Sequence, residues 1–180
     1  MKQVFAIAVV VVIMIIIVVV GGMEKQESTL LRLHIRANSN TSIDQSVKYE
    51  IKDEVVKYLT PIVSEISSFD QAKKVIGDNL KNIKVIADGI LNKKGFDYES
   101  NPIINNEYFP VRSYNGYVVE SGYYDALIIE LGEAKGDNWW CVVYPPLCFV
   151  NSSYTNGKGV VYKSKIVSII EQYINSRSKV

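Results

Sequence analysis

One histidine (His34), two cysteines (Cys141 and Cys148) and two adjacent tryptophans (Trp139 and Trp140) are the side chains best suited to chemistry here. An imidazole can deprotonate a thiol, so His34 with either cysteine would form a nucleophilic pair. No local spacing places them together. The alternation around His34 puts it on the polar face of a strand, where a surface or interface histidine is expected. One histidine and two cysteines also form a poor metal set, because structural zinc takes four ligands and this cysteine spacing matches no zinc knuckle.

Other reaction signatures are missing from the sequence. It has no Gly-x-Gly-x-x-Gly, phosphate loop, Gly-x-Ser-x-Gly elbow or His-Glu-x-x-His. Its acids are scattered rather than arranged for glycoside hydrolysis. The expectation is a protein that is not an enzyme, with no cofactor and no small-molecule substrate. Twenty Lys and Arg nearly balance nineteen Asp and Glu without a basic stripe, which argues against nucleic acid as a partner.

The densest pattern runs from Asn138 through Trp139, Trp140 and Cys141 to Pro145, Pro146, Leu147, Cys148 and Phe149. Neighbouring tryptophans on a strand point to opposite faces. One is expected in the core and the other exposed or in an interface, where large aromatics anchor protein contacts. If Tyr144 to Pro146 makes a tight reversal, Cys141 and Cys148 face each other across it. A disulfide and a pair of buried thiols are the two alternatives.

Elements must position these groups. Leu31, Leu33, Ile35 and Ala37 alternate with Arg32, His34, Arg36 and Asn38, predicting a half-exposed strand. Ser42-Ile43-Asp44-Gln45 has capping-box spacing, and Ile43, Val47, Ile51, Val55 and Leu59 follow on one helical face until Pro61. A second helix is predicted from Ser67 or Ser68 to a stop at Gly95. Strands are predicted at Phe96–Glu99, Tyr117–Val119, Tyr123–Leu131 and Trp139–Tyr144, and a last amphipathic helix at Val161–Ile174, with Ile166, Ile169, Ile170, Tyr173 and Ile174 on its core face. The fold class expected is α+β, one domain with an antiparallel sheet backed by helices.

Lys2 precedes an unbroken apolar run from Val4 to Val20, and the chain turns polar at Glu24. That length lies between a signal-peptide core and a minimal membrane span. Residues 1–23 are therefore expected to be a signal peptide or membrane anchor, with residues 24–180 working outside the cytoplasm.

Beyond these readings, the chain resembles the stage II sporulation protein R family. The resemblance rests on Leu33-His34-Ile35-Arg36-Ala37-Asn38-Ser39 with Asp44-Gln45, Lys48 and Asp53, then Gly95-Phe96-Asp97-Tyr98 and Phe109-Pro110-Val111-Arg112-Ser113-Tyr114. It continues in Gly122-Tyr123-Tyr124-Asp125-Ala126-Leu127, Gly136-Asp137-Asn138-Trp139-Trp140-Cys141 and Pro145-Pro146-Leu147-Cys148-Phe149. Asn40, Lys52 and Glu120-Ser121 depart from the family's pattern.

The resemblance implies an exported signalling protein made in the forespore. It would act in the space between the two membranes that separate forespore from mother cell. Its implied partner is a membrane-embedded aspartic peptidase that processes pro-sigma-E. The surface expected to engage that peptidase combines Trp139–Phe149 with the Asn38–Gln45 turn. Its candidate residues are His34, Asn38, Ser39, Asp44 and Gln45, joined by Asn138, Trp139, Trp140, Cys141, Pro145, Pro146 and Cys148. A cell-wall-binding module and a secreted thiol enzyme are the alternative readings.

Overall fold

A computed structural model of the chain describes residues 29–114, 117–149 and 159–177. The expected signal or anchor at residues 1–23 lies outside them. No helix among the described residues is long and apolar enough to cross a membrane.

Strand β1 (Leu31–Arg36) leads to helices α1 (Ser42–Val63), α2 (Phe69–Asp78) and α3 (Leu80–Lys93). Then come β2 (Ser100–Phe109), β3 (Arg112–Tyr114), β4 (Tyr117–Val119), β5 (Gly122–Leu131) and β6 (Asn138–Tyr144). A 3-10 turn at Leu147–Phe149 precedes the last helix, α4 (Gly159–Arg177).

The architecture is α+β, as expected. Four strands form the main sheet in the order β2-β5-β1-β6, while β3 and β4 pair in a small hairpin of their own. The sheet is mixed rather than purely antiparallel. β1 runs parallel to β5 and antiparallel to β6, and β2 runs antiparallel to β5. Three intervening helices provide the long crossover that parallel pairing requires.

One face of the sheet packs on the helices. Leu31, Leu33 and Ile35 of β1 join Leu127, Ile129 and Leu131 of β5 there. They meet Val47, Ile51, Val55 and Leu59, the predicted stripe of α1. Ile43, placed on that stripe by spacing, is 61% exposed because it lies in the first turn, beyond the edge of the core.

Local chemistry moves several predicted boundaries. The N-cap of α1 is Thr41 rather than Ser42, with its side chain accepting from the Asp44 N–H. Pro61 does not end α1, which runs on to the buried Val63. A proline in the last turn removes only one intrahelical hydrogen bond, and burial of Val63 holds the turn closed.

The long helix predicted to stop at Gly95 is two helices, broken at Asn79. The Asn79 side-chain amide donates to the Val75 carbonyl at 2.8 Å, and its oxygen accepts from Tyr58 at 2.5 Å. This local capping competes with helix continuation. Two shorter helices then bring separate apolar sets, Ala72 with Ile76 and Ile83 with Ala87 and Leu91, onto the same core.

No strand forms at Phe96–Glu99, which is an irregular connection with a bend at Asp97; the strand begins at Ser100. β2 is an edge strand, and an edge tolerates Pro102 and its neighbouring asparagines.

Candidate functional site

β1 is a central strand, so its even-numbered residues meet a second covered face instead of water. Arg32 is fully buried and His34 is 4% exposed, which corrects the expected surface histidine. Phe109, Ala126 and Ile128 form a core beneath this face, with Tyr124 and Trp140 packed against it.

Arg32 sits in an aromatic enclosure. Its guanidinium carbon lies 4.5 Å from the Phe109 ring centre, 5.0 Å from Tyr124 and 5.8 Å from Tyr114. Arg32 Nε donates to the Cys141 carbonyl at 3.3 Å and Nη2 to the Tyr114 hydroxyl at 3.1 Å. Burial lowers its pKa, partly offset by the two tyrosines. Cation–π contacts and neutral acceptors thus replace a carboxylate.

Arg36, four residues along β1 from Arg32, takes the carboxylates. Its Nη1 donates to Glu130 Oε1 at 2.8 Å, and its Nη2 to Glu107 Oε1. Glu107 Oε2 also lies 3.2 Å from His34 Nδ1. Burial pushes the imidazole pKa down to about 4, despite the opposing pull of Asn138 and Glu130, so His34 is neutral at pH 7. A neutral ring donating from Nδ1 to Glu107 carries its lone pair on Nε2.

Trp140 lies opposite His34 in the β1–β6 pairing, with ring centres 5.0 Å apart. The exposed Arg112 covers the Trp140 ring at 4.5 Å. Among the described residues, Arg32 Nη1 and Trp140 Nε1 find no hydrogen-bond partner on this face, although both atoms are buried. An unpaired buried polar group costs about 1–3 kcal/mol, and more when charged.

The other predicted residues fall into three places. Asn38, Ser39, Asp44 and Gln45 form a polar knot at the start of α1. Asn38 Nδ2, Ser39 Oγ and Tyr98 Oη all donate to the Asp44 carboxylate. Burial alone would raise the Asp44 pKa, but hydrogen bonds from Ser39, Tyr98, Asn38 and Thr41 outweigh it and hold it below the usual range. The knot also ties down the β5–β6 turn: Asn38 Oδ1 accepts from the Glu133 N–H and Asn40 Oδ1 from the Asp137 N–H. A Cβ at Gly136 would collide with the Ser39 carbonyl, so the turn requires glycine there. The polar atoms of this segment serve one another.

Trp139 points to the helix face, opposite to Trp140 as alternation requires, and both rings are half-buried. The Lys52 ammonium lies 5.6 Å from the Trp139 ring and 5.8 Å from the exposed Tyr49. This aromatic–cationic edge faces outward.

Cys141 and Cys148 are joined as a disulfide, with Cα atoms 5.7 Å apart. The chain reverses through a cis Tyr144–Pro145 bond, Pro145 and Pro146 are buried, and Phe149 enters the core. Cys141 pairs with Leu33 on the helix face, whereas His34 lies on the other. The sheet separates the imidazole from the bridged sulfurs, which removes the thiol–imidazole reading.

None of the predicted residues lines the cavity of about 620 Å³ between the C-terminal end of α1, Tyr144 and α4. Sequence reasoning missed Arg32, Arg36, Glu107, Phe109 and Tyr124 as site residues. The signal available was the basic alternation Arg32-His34-Arg36 on a strand that turned out to be central.

Fold and site together define a disulfide-bridged α+β domain whose polar centre is an arginine–aromatic cluster behind the sheet. The model of one family, stage II sporulation protein R, matches residues 27–154, and the chain belongs to that family. It is 39% identical over 130 residues to stage II sporulation protein R of Bacillus subtilis (strain 168). That alignment covers 72% of this chain and 57% of the relative, so the chain spans little more than half the relative's length. No solved structure matches it.

Proposed function

We propose that this protein is an exported sporulation signal that activates a membrane-embedded aspartic peptidase, which then processes pro-sigma-E. The observation that carries the reading is the family match over residues 27–154, which includes both the Asn38–Gln45 and the Trp139–Phe149 segments. The Cys141–Cys148 bridge supports an extracytoplasmic site of action, since disulfides persist in oxidising compartments. The apolar run from Val4 to Val20 would carry the domain across the membrane or hold it there. Activation requires tighter binding to the active form of the peptidase than to its resting form. The outward edge of Trp139, Tyr49 and Lys52 offers aromatic and cationic anchors for such a contact.

The test is pro-sigma-E cleavage in a non-sporulating bacterial host that carries the peptidase and its substrate. The full chain is compared with a chain lacking residues 1–22 and with a Tyr49→Ala/Lys52→Ala double variant. Cleavage with the full chain, lost in the truncated chain and at least several-fold weaker in the double variant, supports both activator and surface. No cleavage by well-expressed, exported full chain overturns the activator reading, and full activity in the double variant overturns this surface.

A further inference from the structure

The two unpartnered donors behind the sheet, Arg32 Nη1 and Trp140 Nε1, lie in one aromatic cluster with His34. Arg32 and His34 are two residues apart on β1 and share a face, and Trp140 is the cross-strand partner of His34. Phe109 ties them together, 4.5 Å from the Arg32 guanidinium, 5.7 Å from the His34 ring and 5.6 Å from the Trp140 ring. Buried polar groups in native proteins are nearly always satisfied. Two N–H donors left unpaired around one ring, Arg32 Nη1 and Trp140 Nε1, point to a ligand.

Charge indicates what that ligand is. Arg36 draws both Glu107 and Glu130, and among the described residues no carboxylate pairs with Arg32. Arg112, stacked on Trp140, adds a further positive charge that acts against Arg32. Three guanidinium groups therefore face two carboxylates, and the face is one negative charge short. Guanidinium and indole N–H groups are donors that an oxyanion accepts, and the charged donor makes the stronger bond.

We propose that the face formed by Arg32, Trp140 and Arg112 is a carboxylate-binding site. Arg32 Nη1 and Trp140 Nε1 donate to the carboxylate oxygens, and Arg112 guards the entrance over the indole ring. The bound carboxylate supplies the counter-charge that Arg32 lacks. A small organic acid and an acidic side chain of a polypeptide present the same group. The site stands independently of the peptidase reading.

The experiment uses the full chain in neutral detergent at constant ionic strength. Two probes are titrated: acetate, and a blocked glutamate tripeptide. Chloride and the corresponding glutamine tripeptide are the controls. The readouts are the thermal midpoint and the ¹H–¹⁵N signal of the Trp140 indole. A saturable indole shift and a rise in midpoint with a carboxylate probe, absent with both controls, are expected. Trp140→Phe, which keeps an aromatic ring but removes the N–H, should weaken binding about tenfold. Arg32→Gln should weaken it more, and Arg112→Ala serves in its place if Arg32→Gln does not fold.

Equal response to acetate and peptide identifies a small-acid site, and response to the peptide alone identifies a polypeptide partner; both support the proposal. It is overturned if neither probe gives a saturable response, or if Trp140→Phe binds as tightly as the unaltered chain.

Discussion

Burial on the central strand keeps His34 neutral, with its pKa drawn from 6.5 down to about 4. In the unfolded chain the same imidazole takes up a proton near its ordinary value. The folded state therefore binds fewer protons between pH 6.5 and 4, and stability must fall as pH drops through that window. The full loss is on the order of 3 kcal/mol for a shift of this size. Asp44 also has a lowered pKa, but as a carboxylate it loses its contribution at pH values around and below the ordinary carboxylate range. Urea unfolding of a His34→Gln variant between pH 7 and 4 separates the two, because the slope above about pH 5 should flatten while the lower one remains. An unchanged slope in that variant would remove His34 as the cause. The same residue shows what alternation can and cannot tell. It correctly put His34 on the face opposite Leu33, but whether that face meets water depends on the strand's neighbours, and those are set by pairings far away in the chain.

Elements with strong periodicity were legible. β1, β5, β6 and α1 follow from alternation or from helical spacing of apolar residues, because one face of each packs on the core. α4 also forms, but of its expected core face Ile170 and Tyr173 are half-buried and Ile174 is 41% exposed. β2 was hidden by Asn101, Pro102, Asn105 and Asn106, which are poor strand formers that an edge accepts. The break at Asn79 was hidden because Ala72, Ile76, Ile83 and Ala87 keep near-helical spacing across it, and only the Asn79 side-chain contact reveals it. The reversal after β6 is a different case, since its residues were singled out but their role was open. The bridge spans a sequence separation of seven, and a loop that short yields about 2–3 kcal/mol in the chain-entropy account. A Cys141→Ser/Cys148→Ser variant should lose about that much in urea unfolding, with an unchanged denaturant slope. A loss near zero would mean that Pro145, Pro146 and the buried Phe149 fix the reversal without the sulfurs.

The whole molecule is a sheet with two unlike faces, and they should answer differently to substitution. The helix face is apolar and continuous, so trimming it leaves a cavity. Leu33→Ala on that face should cost about 2–5 kcal/mol. Arg32 is the neighbouring residue on the same strand and is equally buried, yet it holds a charge away from water without a carboxylate. Replacing a buried charge by an apolar side chain of similar volume is often neutral or stabilising. Arg32→Met should therefore unfold within about 1 kcal/mol of the unaltered chain, with the lost cation–π contacts offset by the charge no longer desolvated. Urea midpoints of the two variants, measured side by side at pH 7, decide the matter. If Arg32→Met is as damaging as Leu33→Ala, the arginine–aromatic cluster is part of what folds the chain. If it is harmless, folding does not account for a buried, carboxylate-free arginine between two β-strands, and the second face is the part of the molecule shaped for binding.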